Sequence, residues 1–147
     1  MTRTVLLDTG PLVALLNRRD RYHRWATEQW GDLEPPVLTC EPVLTEACFL
    51  LRESSGGSAA ALELVARGAV KIAYRIEEEV TVLGRLMNRY AEVPMSLADA
   101  CLVRMVEQHP ASAVLTLDRD FRVYRAQGRR VIPVVMPSDL CAGRKGS

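Results

Sequence analysis

Short β-rich apolar runs alternate along this chain with longer stretches whose apolar positions recur at helical spacing. Thr4 to Leu7 predicts a buried strand. Gly10-Pro11 opens a helix that runs through Leu16, with proline in the first turn, where its missing N–H would have no helical partner. Tyr22, Trp25, Ala26 and Trp30 share one helical face, so Tyr22 to Trp30 predicts a second helix, and Pro35-Pro36 breaks it. Val37 to Thr39 is a short strand. Pro42 to Arg52 is a helix, and Ala59 to Arg67 another, ended by Gly68. The loop Ser54-Ser55-Gly56-Gly57-Ser58 separates them. Val70 to Ala73 is a strand, Glu77 to Tyr90 a long helix, and Pro94 ends that region. Ser96 to Glu107 is a strongly apolar helix, and Ala113 to Leu117 and Val131 to Val135 are the last strands. Five strands separated by helices predict an α/β fold on one parallel sheet with right-handed crossovers.

Composition narrows the class without naming it. A chain of 147 residues with 48% hydrophobic and 25% charged residues is an ordinary globular domain, which excludes disordered and collagen-like classes. The expected extent is one domain over residues 1–141, with a small polar tail at 142–147. No apolar run reaches the ~18 residues of a membrane-spanning helix, and the N-terminus has no signal-peptide core, so no membrane partner and a cytoplasmic location are expected. The net charge is +1, from 19 basic and 18 acidic residues, so contact with a polyanion must come from local patches. Cys40, Cys48, Cys101 and Cys141 lack C-x-x-C spacing. Three of them sit in apolar segments and read as buried reduced thiols rather than a zinc site.

The acids carry the chemistry. In open parallel sheets, ligands gather outside the carboxyl ends of the strands. Asp8 ends the first predicted strand, and Asp118 and Asp120 follow the fourth. Glu46 lies in the helix after the second strand, beside Val43, Ala47 and Leu50. Asp99 lies in the first turn of the apolar helix and shares its face with Leu102, Val103 and Val106. An ionised carboxylate on such a face is costly unless paired or metal-bound. Each acid also has an ordinary explanation. Ser96-x-x-Asp99 matches a capping box, Asp8 an Asx-turn or helix start, Glu46 a surface glutamate, and Asp118 to Phe121 a capped turn. The set is the stronger argument. Four carboxylates in one dry cleft cannot all ionise without counter-charge, and no Lys or His accompanies them in the local motifs. Divalent cations supply that charge, hard oxygen donors select Mg²⁺ or Mn²⁺, and the implied reaction is metal-dependent phosphodiester hydrolysis.

Four segments in this order resemble the PIN-domain ribonucleases, and among them the VapC-type toxins of toxin–antitoxin pairs. They are Val5-Leu6-Leu7-Asp8-Thr9-Gly10-Pro11-Leu12, Leu44-Thr45-Glu46-Ala47, Ser96-Leu97-Ala98-Asp99-Ala100 and Leu115-Thr116-Leu117-Asp118-Arg119-Asp120-Phe121. The resemblance implies a PIN-like three-layer sandwich with a central five-stranded parallel sheet flanked by helices. It implies that Asp8, Glu46, Asp99 and Asp118 hold Mg²⁺ or Mn²⁺, with Asp120 a peripheral acid, either a water-mediated ligand or an N-cap, and Thr116 supporting the site. It further implies an RNA substrate cleaved through a metal-activated water, a cognate antitoxin that blocks the site, and a homodimer.

Phosphate contacts would fall to arginines. Arg18, Arg19, Arg21 and Arg24 form one group after the first helix, and Arg119, Arg122, Arg125, Arg129 and Arg130 a second after the fourth strand. Of these, Arg18, Arg19, Arg119 and Arg122 are the expected RNA contacts, against the alternative of a solvated face. Trp25 and Trp30 could stack on bases, but such a stripe is more often packing or the surface that receives the antitoxin, and His23 reads as a surface residue with no local partner to make it a general base. Two other functions fit a similar sheet. One is a phosphatase or phosphoacceptor domain using Asp8, although Asp8-Thr9-Gly10 lacks a second Asp two residues on. The other is a non-catalytic RNA- or protein-binding module.

Overall fold

The computed structural model describes residues 3–141; the expected tail at 142–147 lies outside the described residues. Its elements run β1 (Thr4–Leu7), α1 (Thr9–Leu16), α2 (His23–Asp32), β2 (Val37–Thr39), α3 (Glu41–Leu50), α4 (Ala59–Ala66) and β3 (Val70–Ile72). After these come α5 (Val80–Arg89), α6 (Leu97–Gln108), β4 (Ser112–Leu115), β5 (Arg125–Ala126), β6 (Arg130–Val131), β7 (Val134–Val135) and the short α7 (Ser138–Cys141). The main sheet is five-stranded and parallel, in the order β3-β2-β1-β4-β7. With right-handed crossovers, that order puts α1 to α4 on one face and α5 and α6 on the other. Most helix contacts follow this division, with α1 packed on α2, α3 and α4 and α5 on α6, while α3 also meets α6. The strand order reverses between β1 and β4, which opens a crevice at their carboxyl ends.

Burial explains the strands. Leu6, Leu7, Val114 and Leu115 are almost wholly buried, as strands covered on both faces require. The register pairs Leu6 with Val114 and Leu7 with Leu115, so Asp8 and Thr116 leave the sheet side by side. The Thr39 hydroxyl donates to the Leu7 carbonyl at 2.7 Å and ties β2 to β1 at the same edge. Helix α6 is buried nearly all round, from Ala98 to Val106, with Arg104 the exception. Arg104 pairs with Glu79 at 3.0 Å and Glu107 at 2.8 Å.

Three elements differ from the periodicity. The helix expected over Glu77–Tyr90 is a 3-10 turn at Ile76–Glu79 followed by α5. Glu79 leaves helical backbone geometry (φ −125°, ψ 10°) where its carboxylate reaches across to Arg104 and Gln108. The strand expected over Val131–Val135 is split. Only Val134–Val135 joins the main sheet, while Arg130–Val131 pairs antiparallel with Arg125–Ala126. Gln127 and Gly128 turn that hairpin with positive φ (51° and 76°), and Pro133, which has no N–H to give a ladder, separates the two pieces. Helix α7 was not foreseen at all. The cysteines are free, with Cys40 and Cys101 buried, Cys48 half-buried and Cys141 exposed. His23 is not a free surface residue: it is half-buried, with Nδ1 2.8 Å from the Ala14 carbonyl oxygen. Trp25 and Trp30 pack partly buried against the core.

Candidate active site

A cleft of about 910 Å³ opens at the carboxyl edge of β1 and β4. Asp8, Glu46, Asp99, Asp118 and Asp120 all line it. Five acids from four separate segments thus meet on one wall of the molecule. Among the described residues no salt bridge reaches any of them.

Four of the acids are held by neutral donors. Asp8 directly follows β1 and caps α1. Its Oδ1 accepts from the Thr9 backbone N–H at 2.8 Å, and its Oδ2 from the Thr116 hydroxyl at 2.7 Å. The Thr116 oxygen in turn accepts from the Asp118 N–H at 2.9 Å. One hydroxyl therefore couples the ends of β1 and β4. Glu46, on the exposed side of α3, accepts from the Thr9 hydroxyl at 2.9 Å. Asp99 completes the capping box of α6: Ser96 Oγ accepts from the Asp99 N–H at 3.0 Å, and Asp99 Oδ2 from the Ser96 N–H at 3.3 Å. The same Oδ2 accepts from the Tyr124 hydroxyl at 2.8 Å. Capping and cleft are therefore not alternatives for Asp99. Asp118 Oδ1 accepts from the Asp120 N–H at 2.9 Å and caps the 3-10 turn Arg119–Arg122. Asp120 is not an N-cap; Asp118 holds that position, and Asp120 stands inside the turn with its side chain at the cleft.

Burial without counter-charge shifts Asp8, Asp99 and Asp120 upward. Burial, and more weakly the charges of Asp99 and Asp118, push the Asp8 carboxyl up to about 7 against the lowering bonds from Thr116 and Thr9. Asp99 is raised by burial and by Asp118, and Asp120 by burial and by Asp118. Tyr124 is buried, edge-on to Phe121 and Tyr90 at ring separations of 5.3 and 5.1 Å. Burial and its bond to Asp99 raise its hydroxyl above the usual range, so it stays a proton donor.

The donor set facing this cleft is all oxygen. That chemistry fits a hard divalent cation, which would relieve the repulsion and hold Asp8 ionised. Among the described residues, no group of three or more His, Cys, Asp or Glu side chains is arranged to hold a metal ion as it stands. The carboxylates of Asp8, Glu46, Asp99 and Asp118 are engaged with hydroxyl and amide partners instead.

The arginines divide. Arg119 lines the cleft. Arg18 and Arg19 line a neighbouring groove that shares Leu50 with it. Arg122 does not line the cleft; its guanidinium donates to the Cys141 carbonyl. Arg125 is spent on the carbonyls of Arg122, Val123 and Tyr124. Arg129 and Arg130 sit on the hairpin whose turn residue Gln127 bonds Glu107. That contact is about 12 Å along α6 from Asp99. Arg21 and Arg24 pair with Asp139 and Glu28.

Sequence reasoning missed Thr9 and Tyr124. Thr9 had a signal, since it follows Asp8 in the first motif. Tyr124 had none, because its bond to Asp99 spans 25 residues and depends on how the chain after β4 folds back.

A family model described as PIN domain matches residues 5–127. Ribonuclease VapC26 of Mycobacterium tuberculosis is 27% identical over 118 residues, covering 78% of this chain and 87% of that protein. The crystal structure of Mycobacterium tuberculosis VapC20, a Sarcin-Ricin loop cleaving toxin, superposes with a TM-score of 0.74 at 23% identity. That match covers 88% of this chain and 100% of the other, and it is a likeness of fold.

Proposed function

The chain belongs to the PIN domain family, and from that membership we propose that it is the endoribonuclease toxin of a toxin–antitoxin pair of the VapC type. It hydrolyses RNA phosphodiester bonds with Mg²⁺ or Mn²⁺. The observation that carries this reading is the meeting of Asp8, Glu46, Asp99 and Asp118 in one cleft with no basic partner among the described residues. A purely structural role explains none of that cost, because four neighbouring carboxylates repel.

Asp8, Glu46, Asp99 and Asp118 would hold the cation, with Asp120 at the periphery. A bound divalent ion supplies charge neutralisation at the scissile phosphate and a more acidic water. Thr116 orients the carboxylate of Asp8 and fixes the backbone of Asp118. Tyr124 and Ser96 orient Asp99, and Thr9 orients Glu46. Arg119 at the rim meets the substrate phosphate, with Arg18 and Arg19 as further contacts, whereas the Arg122 guanidinium, held by the Cys141 carbonyl away from the cleft, is not assigned that role. Residues 1–141 act as one PIN-like domain. A cognate antitoxin covers the cleft, and the active form is a homodimer. No helix among the described residues is long and apolar enough to cross a membrane, which fits work on RNA in the cytoplasm.

Asp8 makes a poor phosphoacceptor, since both its oxygens are engaged and it is 6% exposed. The test is cleavage of structured RNA by the purified chain, freed of any partner, at graded Mg²⁺ and Mn²⁺. Cleavage should vanish in EDTA and fall at least about a hundredfold in Asp99→Asn. RNA binding without cleavage in any metal would overturn the enzyme reading in favour of a binding module.

A further inference from the structure

The acid cleft continues in two directions with opposite charge. On one side Leu50 lines both the cleft and a groove of about 800 Å³ between Leu16–Arg19 and Glu53–Gly56. That groove carries two guanidinium groups, Arg18 and Arg19, against one carboxylate, Glu53. On the other side Glu46 and Ser96 line both the cleft and an apolar slot of about 380 Å³. The slot shares Glu41 and Ile76 with a hollow that holds Glu41, Glu77, Glu78 and Glu79, of which Arg75 pairs with Glu78 and Arg104 with Glu79, so two carboxylates stay uncompensated among the described residues. A polyanion is attracted along the first path and repelled along the second.

The first path also has the right local chemistry. Arg18 and Arg19 are exposed, and among the described residues their guanidinium groups make no hydrogen bond or ion pair. The loop that presents them is fixed, since the Asn17 side chain accepts from the Arg19 N–H at 3.1 Å. Phe49 stands at the rim between cleft and groove, next to Leu50, with 62% of its surface exposed. The Arg52 guanidinium lies 3.9 Å from its ring centroid and steadies it. An exposed ring beside unspent guanidinium groups is the pattern of a single-strand track, on which bases stack and phosphates pair. Past Leu50 the groove lining is mostly polar, with Asn17, Arg18, Arg19, Glu53, Ser54 and Ser55 and with Leu16 its other apolar side chain, which suits a strand of phosphates better than an apolar docking face.

We propose that unpaired RNA lies on one side of the acid cleft only, passing over Phe49, which stacks on a base, and into the groove where Arg18 and Arg19 hold its phosphates. This rests on the nuclease reading, and it is tested by binding so that the two can fail separately. The probe is a fluorescein-labelled single-stranded oligouridylate 12-mer, followed by anisotropy on the full chain carrying Asp99→Asn, at fixed Mg²⁺ and varied KCl. Adding Arg18→Gln and Arg19→Gln should make the negative slope of log K against log salt shallower by about 1.4. Adding Phe49→Ala should weaken binding about tenfold at an unchanged slope, and Phe49→Trp should restore it. Glu77→Gln with Glu78→Gln should leave the slope as it was. Circular dichroism checks that each variant folds. An unchanged slope in the double arginine variant, or full affinity in Phe49→Ala, overturns the track and leaves this rim to a protein partner. Failure of the parent to bind the probe overturns it too, whereas absence of cleavage by the wild type counts only against the nuclease reading.

Discussion

At the scale of single residues, the site is a set of carboxylates kept in order by hydroxyl groups. Thr116 is the clearest case, because it donates to Asp8 and accepts from the Asp118 N–H. Its bond favours the ionised form of Asp8, which burial pushes the other way, up to about 7. Thr116→Val keeps the volume and the strand preference but removes the donor. The Asp8 carboxyl should then titrate higher still, and the acidic limb of the cleavage–pH profile should move to higher pH. A profile that falls in height without moving would mean that Thr116 acts on position alone. Tyr124→Phe makes the parallel case for Asp99. It leaves the aromatic cluster with Phe121 and Tyr90 in place and removes one bond to a buried acid, a loss of about 1–3 kcal/mol. Thermal melts of the variant measure it.

Elements carry these residues to the cleft. The β1 and β4 strands, the apolar α6 and the Ser96–Asp99 capping box were all legible, because period and cap chemistry are local. The split of the last strand and the 3-10 turn before α5 were not. The first depends on which partner Arg130–Val131 meets, and the second on Glu79 reaching Arg104 some 25 residues away. Likewise Asp8 was legible as a strand-end acid, whereas its bond to Thr116, 108 residues on, follows from the β1–β4 register. The capping box has a consequence at this scale. Ser96→Ala removes the N-cap and should cost about 1 kcal/mol of stability. It also releases the first turn of α6, which carries Asp99, so cleavage should fall with stability, while Ser96→Thr should recover both. Gly10 marks another constraint on how elements meet. A Cβ there would stand 3.1 Å from the Leu117 side chain, so Gly10→Ala should push α1 away from the segment between Thr116 and Asp118.

For the whole molecule, the uncompensated cleft makes stability depend on pH and on divalent ions together. Asp8 has a folded pKa of about 7 against 3.8 for the free group, so between those values the folded chain binds more protons than the unfolded chain. Stability from this group is therefore complete below about pH 4 and lost as pH rises through 7, by up to about 4 kcal/mol. Asp99 and Asp120 are raised as well and act in the same direction. In EDTA, the melting temperature should fall from pH 5 to pH 8. A cation that binds the ionised acids reverses this. Mg²⁺ at a hundred times its dissociation constant adds about 2.7 kcal/mol at pH 8, and little at pH 5, where protons compete for the same oxygens. Asp8→Asn isolates the cause. It should raise the melting temperature at pH 8 in EDTA, flatten the pH dependence and remove most of the response to Mg²⁺. If the wild type and Asp8→Asn melt in parallel across this range, the strain lies elsewhere than at the end of β1. If Mg²⁺ raises both equally, the ion is not held by Asp8, and the acids of this cleft need another account.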